Sequence, residues 1–310
     1  MHETVNRRQF LTTAGLSALA LTAGASGLFA GSGKKSGLRI AYSAITWGGN
    51  DAKAIADLAN LGYHGIQLRS TAFGPYRTKP SELKALLDQH KLTLAMFSSG
   101  NVEIDPAREQ STIDQHVAHA SFVKALGGSA IQLTNSARPK DRLPTTDELK
   151  RLATVMNEIG KQTADMGIQA AYHNHMHQLG ETPEEVDVIV QAMNPAYCKL
   201  LLDIAHYKQG GGQPEQAVKQ YKDLLYALHL KDTMSPNPDK AKDPNARDYK
   251  FVELGRGNVN VPAVLAAIND INFKGWGIIE LDGIPEEGKT AAQCAQINKD
   301  YITKTLKLPL

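Results

Sequence analysis

The chain has 310 residues, 34 Lys and Arg against 32 Asp and Glu, and a formal net charge of +2 at pH 7. That length can bury one large core, and no Pro/Gly/Ser-rich linker or charge block divides it, so a single domain is expected. Basic and acidic residues are interspersed, which argues against nucleic-acid binding as the main role, since that requires a clustered basic face.

The first 35 residues read as an export signal. Arg7 and Arg8 precede an uncharged stretch, 11–32, rich in Ala, Gly, Ser and Thr, and the next charge is Lys34. A positive start, a mildly apolar stretch and small residues before a cleavage point define such a signal. The paired arginines select the twin-arginine route. Ala23-Gly24-Ala25 is the better cleavage site and Leu28-Phe29-Ala30 the poorer. The stretch has the length to span a bilayer, but its glycines and hydroxyl residues make it a weak anchor. The expectation is a periplasmic protein, mature over 36–310, with no stable membrane association after cleavage. Cys198 and Cys294 are far apart and lack metal-type spacing, so each is expected to be a packed residue and not half of a disulfide.

Short apolar runs then alternate with amphipathic stretches eight times. Strands are predicted over 38–45, 65–68, 92–97, 130–133, 168–173, 199–203, 226–231 and 276–281. Helices are predicted over 52–61, 81–90, 112–126, 146–166, 183–193, 214–221, 261–271 and 291–304. Gly62, Gly127 and Gly167 mark helix ends, and Pro80 a helix start. A polar insertion, 232–250, precedes the seventh helix. Strands separated by helical stretches of this length imply parallel βαβ units. Eight of them imply closure into a (β/α)₈ TIM barrel.

Active sites of such barrels lie at the C-terminal ends of the strands. The fifth strand ends in His173-Asn174-His175. The sixth ends in Asp203 with His206 just beyond, the seventh in His229 with Lys231, and the eighth in Glu280 with Asp282. Side chains alternate along a strand, so His173 and His175 share a face, as do His229 and Lys231. Each residue alone has a plain explanation: Asp203 could cap the next helix, and Glu280 could pair with Lys231 or Arg256. The coincidence of four consecutive strands points instead to a divalent-metal site. Two imidazoles and two carboxylates suit Mn²⁺, Zn²⁺, Fe²⁺ or Co²⁺.

Several segments resemble the sugar phosphate isomerase/epimerase superfamily, the xylose-isomerase-like barrels. They are Gly62–Leu68, Tyr172-His173-Asn174-His175, Leu201–His206, His229-Leu230-Lys231-Asp232, Glu253-Leu254-Gly255-Arg256-Gly257 and Gly275–Glu280. In that family the last four strands supply metal ligands in the order Glu, Asp, His, Glu. The resemblance implies Asp203, His229 and Glu280 as ligands, His173 in place of the first Glu, and His206 as a substrate contact. It leaves open whether His173 or His175 ligates. Manganese is the expected ion, with Zn²⁺, Co²⁺, Fe²⁺ or Mg²⁺ as alternatives. Gln67 and Gln178 stand where many relatives carry Glu.

The resemblance implies proton abstraction next to a carbonyl in a small carbohydrate. Export favours an unphosphorylated sugar, and no Gly-rich phosphate loop follows the last strands, the Arg256 region being the nearest candidate. Family epimerases use one carboxylate on each face of a carbon, and His173 in place of Glu disturbs that pair. The favoured expectation is therefore a 3-keto-glycoside lyase that eliminates the aglycone. Its base would be His175 or Glu280, with His206 or Lys231 beside the departing oxygen. The alternatives are a sugar or inosose isomerase/epimerase and a non-catalytic carbohydrate-binding barrel. A DNA-repair endonuclease would need ligands on strands two to four, whose ends offer Gln67, Ser98, Ser99, Thr134 and Asn135. A homo-oligomer is compatible with all of these readings.

The signal assignment is checked by replacing Arg7 and Arg8 together with Lys, which keeps the charge. The variant should accumulate in the cytoplasm, and wild-type levels in the periplasm would refute the twin-arginine assignment.

Overall fold

The computed structural model describes residues 37–235, 237 and 249–310; the export segment and most of the polar insertion lie outside them. The eight apolar runs form eight strands: β1 (Arg39–Ser43), β2 (Gly65–Arg69), β3 (Thr93–Asn101), β4 (Ala130–Thr134), β5 (Gln169–His173), β6 (Cys198–Asp203), β7 (Leu225–Leu230) and, eighth in the barrel, β10 (Trp276–Ile279). They pair in chain order and close, with β10 lying parallel to β1 from Arg39↔Trp276 to Tyr42↔Ile279. Two short strands, β8 (Asp232–Met234) and β9 (Lys250–Val252), form an antiparallel pair at the base of the insertion.

The helices between them are α1 (Asp51–Asn60), α2 (Phe73–Tyr76), α3 (Pro80–Gln89), α4 (Glu109–Ala125) and α5 (Thr146–Ala164). They continue with α6 (Pro183–Ala192), α7 (Ile204–Gln209), α8 (Pro214–Gln220), α9 (Val261–Asp270) and α10 (Ala291–Asp300). Local chemistry sets their limits. Thr145 with Glu148, and Thr290 with Gln293, form reciprocal capping boxes at the starts of α5 and α10. Gly62, Gly127 and Gly167 have φ of 83°, 76° and 76°, the left-handed conformation that stops a helix. The closing helix is shorter than predicted: α10 ends at Asp300 and a wider π-type turn covers Tyr301–Thr305.

The core has two shells. One lies between strands and helices; the other fills the barrel with Ala41, Ala95, Met96, Ala130, Ala171, Leu201, Ala227, Trp276 and Ile278. The alanines leave room for Trp276. At Gly65 a Cβ would lie 2.6 Å from that indole and 2.8 Å from the Ala41 Cβ, so only glycine admits the ring. Because side chains alternate, the inward residues Ala171, Leu201, Ala227 and Ile278 place His173, Asp203, His229 and Glu280 one layer above the apolar plug, on the same face. No helix among the described residues is long and apolar enough to cross a membrane.

Two further segments differ from the sequence expectation. β3 continues past Phe97 to Asn101, because its polar end is anchored from within. Ser99 is fully buried, its hydroxyl 2.6 Å from His116 Nδ1 and 2.9 Å from His119 Nδ1, both on α4. His116 Nε2 donates to the Asn101 carbonyl at 3.1 Å. The stem of the insertion is likewise ordered. The fully buried Asp232 carboxylate accepts the amides of Thr233, Gly255, Gly257 and Val259 at 2.9–3.0 Å.

Burial pushes His116 down from 6.5 to about 4, the Asn101 carbonyl opposing. A depressed histidine contributes stability in full above the unfolded value and loses it as pH falls toward the folded one, since the unfolded chain binds the proton first. Between pH 7 and pH 5 this amounts to about 2 kcal/mol. His116→Gln should flatten the pH dependence of unfolding free energy over that range by about that amount relative to wild type. Denaturant titrations at both pH values check it; an unchanged slope would show that His116 does not carry the effect.

Candidate metal centre at the barrel mouth

His173, Asp203, His229 and Glu280 bring one donor atom each to within 4.8 Å of one another, and all four residues are buried. Three of the atoms facing this point have no hydrogen-bond partner: His173 Nδ1, Asp203 Oδ2 and His229 Nδ1. Unpaired buried polar atoms are costly. Three converging on one spot therefore mark a place shaped for a further group.

Neighbouring contacts fix how each donor points. Asp203 uses its Oδ1 to accept the amides of Ala205 and His206, both at 2.8 Å, so it does cap α7. Oδ2 remains free, and the capping and ligand readings hold together. Asn174 clamps Asp203 to the neighbouring strand, accepting the Asp203 amide at 2.9 Å and donating to its carbonyl at 3.1 Å. His229 Nε2 donates to Gln67 Oε1 at 2.8 Å, the Gln67 amide donates to Gln132 Oε1 at 2.7 Å, and Gln132 donates to Thr134 at 3.3 Å. This chain of donors leaves the His229 Nδ1 lone pair facing Glu280 Oε1 at 3.3 Å and Asp203 Oδ2 at 3.6 Å. A lone pair toward two carboxylates is repulsive unless a proton or cation lies between. Burial alone would lower His229, but Glu280 and Asp203 outweigh it and raise it to about 9. A divalent cation would meet the same demand, and the two-imidazole, two-carboxylate set fits one.

Beside this quartet lies a second group. His175 and His206 pack ring to ring at 3.9 Å, and each reaches His173, at 5.7 and 5.9 Å between ring centres. His173 belongs to both groups and His175 only to the outer one, which includes His206. His175 Nδ1 donates to the Met176 carbonyl at 2.7 Å, leaving Nε2 as acceptor. Burial holds His173 and His206 well below the ordinary histidine value, and His175 below it, with Lys231 adding to the effect on the latter two.

Lys231 is 1% exposed. It donates to Asp282 at 2.7 Å and Glu280 at 3.2 Å, and lies 3.3 Å from His206 Nε2 and 4.0 Å above the Phe251 ring. Burial opposes its charge, but Glu280, Asp282 and Asp203 override this and raise it. Glu280, against its own burial, is held well below the usual carboxylate range by His229 and Lys231.

Every residue expected from the sequence thus meets at one mouth, opening into a cleft of about 240 Å³ lined by His173, His175, Glu280 and Asp282 on one side and by Arg69, Ser98, Asn101 and Thr134 on the other. Of the two pairings considered for Glu280, Lys231 is the one formed. Arg256 is engaged by Glu253 at 3.3 Å and Glu286 at 2.7 Å, so it is committed and offers no phosphate site. Sequence reasoning missed the orienting role of Gln67 and Asn174, the cover from Phe251, and Arg69. Alternation from Gln67 to Arg69 was a usable signal for the last. For Gln67 there was none, since its partner is 162 residues away.

The family model of the xylose isomerase-like TIM barrel matches residues 55–299. An inosose dehydratase of Lacticaseibacillus casei is 25% identical over 275 residues, covering 83% of this chain and 90% of its own. That of Klebsiella pneumoniae (strain 342) is 25% identical over 303 residues, covering 87% and 98%. Among solved structures, the IOLI protein with a binding zinc atom aligns with a TM-score of 0.72 at 17% identity, over 87% of this chain and 98% of that one. A sugar phosphate isomerase/epimerase from Parabacteroides distasonis aligns at 0.66 and 17% identity, over 90% and 98%.

Asp203→Asn and His229→Ala should each strip the ion while the fold is retained. His173→Ala should lower metal affinity, whereas His175→Ala should keep the metal. Gln67→Leu should weaken metal binding about 10- to 100-fold by freeing the His229 ring. Elemental analysis and metal titration with circular dichroism check these; near-stoichiometric metal in both Asp203→Asn and His229→Ala would refute the donor set.

Proposed function

This chain belongs to the xylose isomerase-like TIM barrel family, and on that premise we propose that it removes a proton next to the carbonyl of a cyclic keto-polyol of the inosose class and eliminates a β-hydroxyl as water. It is an enzyme acting on carbohydrates, with a metal-dependent lyase or isomerase reaction. The observation that carries the reading is the ring of four buried donors with three unpaired atoms turned to one point, in a chain whose relatives include inosose dehydratases.

These relatives support the inosose alternative better than the 3-keto-glycoside lyase expected from the sequence. Both reactions begin with the same proton and differ in the group that departs, a hydroxyl or an aglycone. A divalent ion held by His173, Asp203, His229 and Glu280 would supply Lewis acidity to the carbonyl and its neighbouring oxygen. Zinc, the ion named with the IOLI protein, and manganese both accept such nitrogen and oxygen donors.

The chain's own residues divide the remaining work. His175 takes the proton on Nε2, the nitrogen left open by the Met176 contact. His206 stacks on it and limits its rotation. Lys231 carries three N–H donors, of which Asp282 and Glu280 accept two. The third lies 3.3 Å from His206 Nε2 and would turn to the departing oxygen once substrate is bound. Phe251 covers Lys231 from the β8–β9 side and keeps water from the ammonium. The twin-arginine motif adds a periplasmic setting to the proposal, which favours substrates without a phosphate.

Incubating the metal-loaded protein with 2-keto-myo-inositol in deuterated water tests this. Expected are loss of water, with deuterium in the product on the carbon that bore the departing hydroxyl and, in recovered substrate, on the carbon next to the ketone, and His175→Ala slower by about 100-fold or more at unchanged metal content. Aglycone release from a chromogenic 3-keto-glucoside, with the inosose untouched, would return the assignment to the glycoside lyase. No exchange into either ketone would end the proton-abstraction reading.

A further inference from the structure

Opposite the metal ligands, the cleft wall is formed by the ends of β2, β3 and β4. Gln67 on β2 points into the barrel, where it meets His229 and Gln132. Alternation therefore turns Arg69, two residues on, to the same inward face and one layer nearer the mouth. Arg69 lines the same cleft as His173, His175 and Glu280, and it pairs in register with Ser98 on β3, another lining residue.

Among the described residues, Arg69 is the one guanidinium in the cleft lining, and it lies there without a close partner. Lys231 is engaged by Glu280 and Asp282, Arg138 by Glu185, and Arg256 by Glu253 and Glu286. Arg69 makes no ion pair and no hydrogen bond among the described residues. Its charge is felt by Asp51, at the start of α1. Burial raises Asp51 to about 6, with the charge of Arg69 opposing the rise, and Asp51 does not line the cleft. The neighbours of Arg69 in the wall, Ser70, Ser98, Asn101 and Thr134, are uncharged. A guanidinium presents its donors in a planar fork that matches the two oxygens of a carboxylate or phosphate. A site for a purely neutral polyol would be served by the hydroxyls and amides already in the wall.

We infer that Arg69 anchors an oxyanion substituent of the substrate, a carboxylate or a phosphate, held across the cleft from the reacting carbonyl. This rests on the proton-abstraction reading above, for which 2-keto-myo-inositol is an uncharged probe of the reacting end, and narrows the natural substrate to a keto-polyol that carries a negative group. Arg69 is then a specificity-determining residue: the ligands and His175 act on the carbonyl end, and the guanidinium selects and orients the other end. Separating recognition from chemistry in this way lets binding energy at a remote group position the reacting carbon.

The test uses three ketoses that differ only at C6: D-fructuronate with a carboxylate, fructose 6-phosphate with a phosphate, and fructose with a hydroxyl. Their dissociation constants are measured by calorimetry on the metal-loaded full chain, for wild type, Arg69→Gln and Arg69→Lys. Wild type should bind one charged ketose about ten-fold or more tightly than fructose. Arg69→Gln should abolish that ratio while fructose affinity and metal content stay unchanged, and Arg69→Lys should retain part of it. Preference for fructuronate identifies a carboxylate and preference for fructose 6-phosphate a phosphate, and either supports the inference. A ratio that survives Arg69→Gln, or no measurable binding of either charged ketose, overturns it. Deuterium exchange measured on the same samples reports the proton-abstraction reading separately. Lost exchange with an intact charge ratio would fault the chemistry alone, and intact exchange with no charge ratio would fault Arg69 alone.

Discussion

Two carboxylates and two imidazoles held dry around one point are unstable unless a cation joins them, and the mouth of this barrel is organised by that constraint. Isolated buried charges cost several kcal/mol each, so Asp203 and Glu280 could not both stay ionised at the end of an apolar plug without compensation. The chain supplies part of it through Lys231, which Asp282 and Glu280 hold. Three carboxylates then face one ammonium, and a divalent ion brings that group to neutrality. His229 shows the same demand from the other side, being driven toward the imidazolium by its acidic neighbours when no metal is considered.

Rigidity around that point comes from partners that cannot rotate away. Asn174 imitates a strand backbone, bonding both to the amide and to the carbonyl of Asp203. Gln67, Gln132 and Thr134 form a single-direction donor chain that reaches His229 from across the barrel. Such outer contacts fix the tautomer of a ligand and its angle. They also link the β2–β4 side of the barrel to the ligands on β5 to β10, so the wall that lines the cleft and the centre that faces it are held by one network.

Much of this was legible in the sequence because the relevant signals are local. Apolar runs of strand length, glycines at helix ends and polar residues closing four successive strands all follow from period and steric rules within a few residues. What was not legible depended on distance or on buried polarity. Ser98-Ser99-Gly100-Asn101 reads as loop, yet β3 continues through it because two histidines of α4 satisfy Ser99 inside the protein. Asp232 reads as the start of a polar insertion, yet it is fully buried and gathers four amides from segments on both sides of that insertion. The competition between capping and ligation at Asp203 could not be decided from sequence, because Oδ1 caps α7 and leaves Oδ2 open toward the donor quartet.

The same distinction bears on how the substrate was first expected. In the sequence, His173 in place of a glutamate favours elimination of an aglycone over epimerisation, by the number of carboxylates that flank a carbon. The structure supplies a different consideration. Glu280 sits in the donor quartet and accepts from Lys231, so it is turned to that centre and to the ammonium. His175 keeps an open nitrogen and lines the cleft. With one open base on one side of the cleft, and an ammonium beside it in the histidine cluster, the arrangement suits taking a proton and releasing an oxygen from the same side of a ring. Among the described residues lining the cleft, the wall opposite His175 offers hydroxyls, amides and Arg69, not the second matched base that inversion of a carbon would require. Arginine holds its proton at any ordinary pH, so that wall can bind and orient but not abstract. Elimination, whether of water or of a larger alcohol, is the reaction this asymmetry supports.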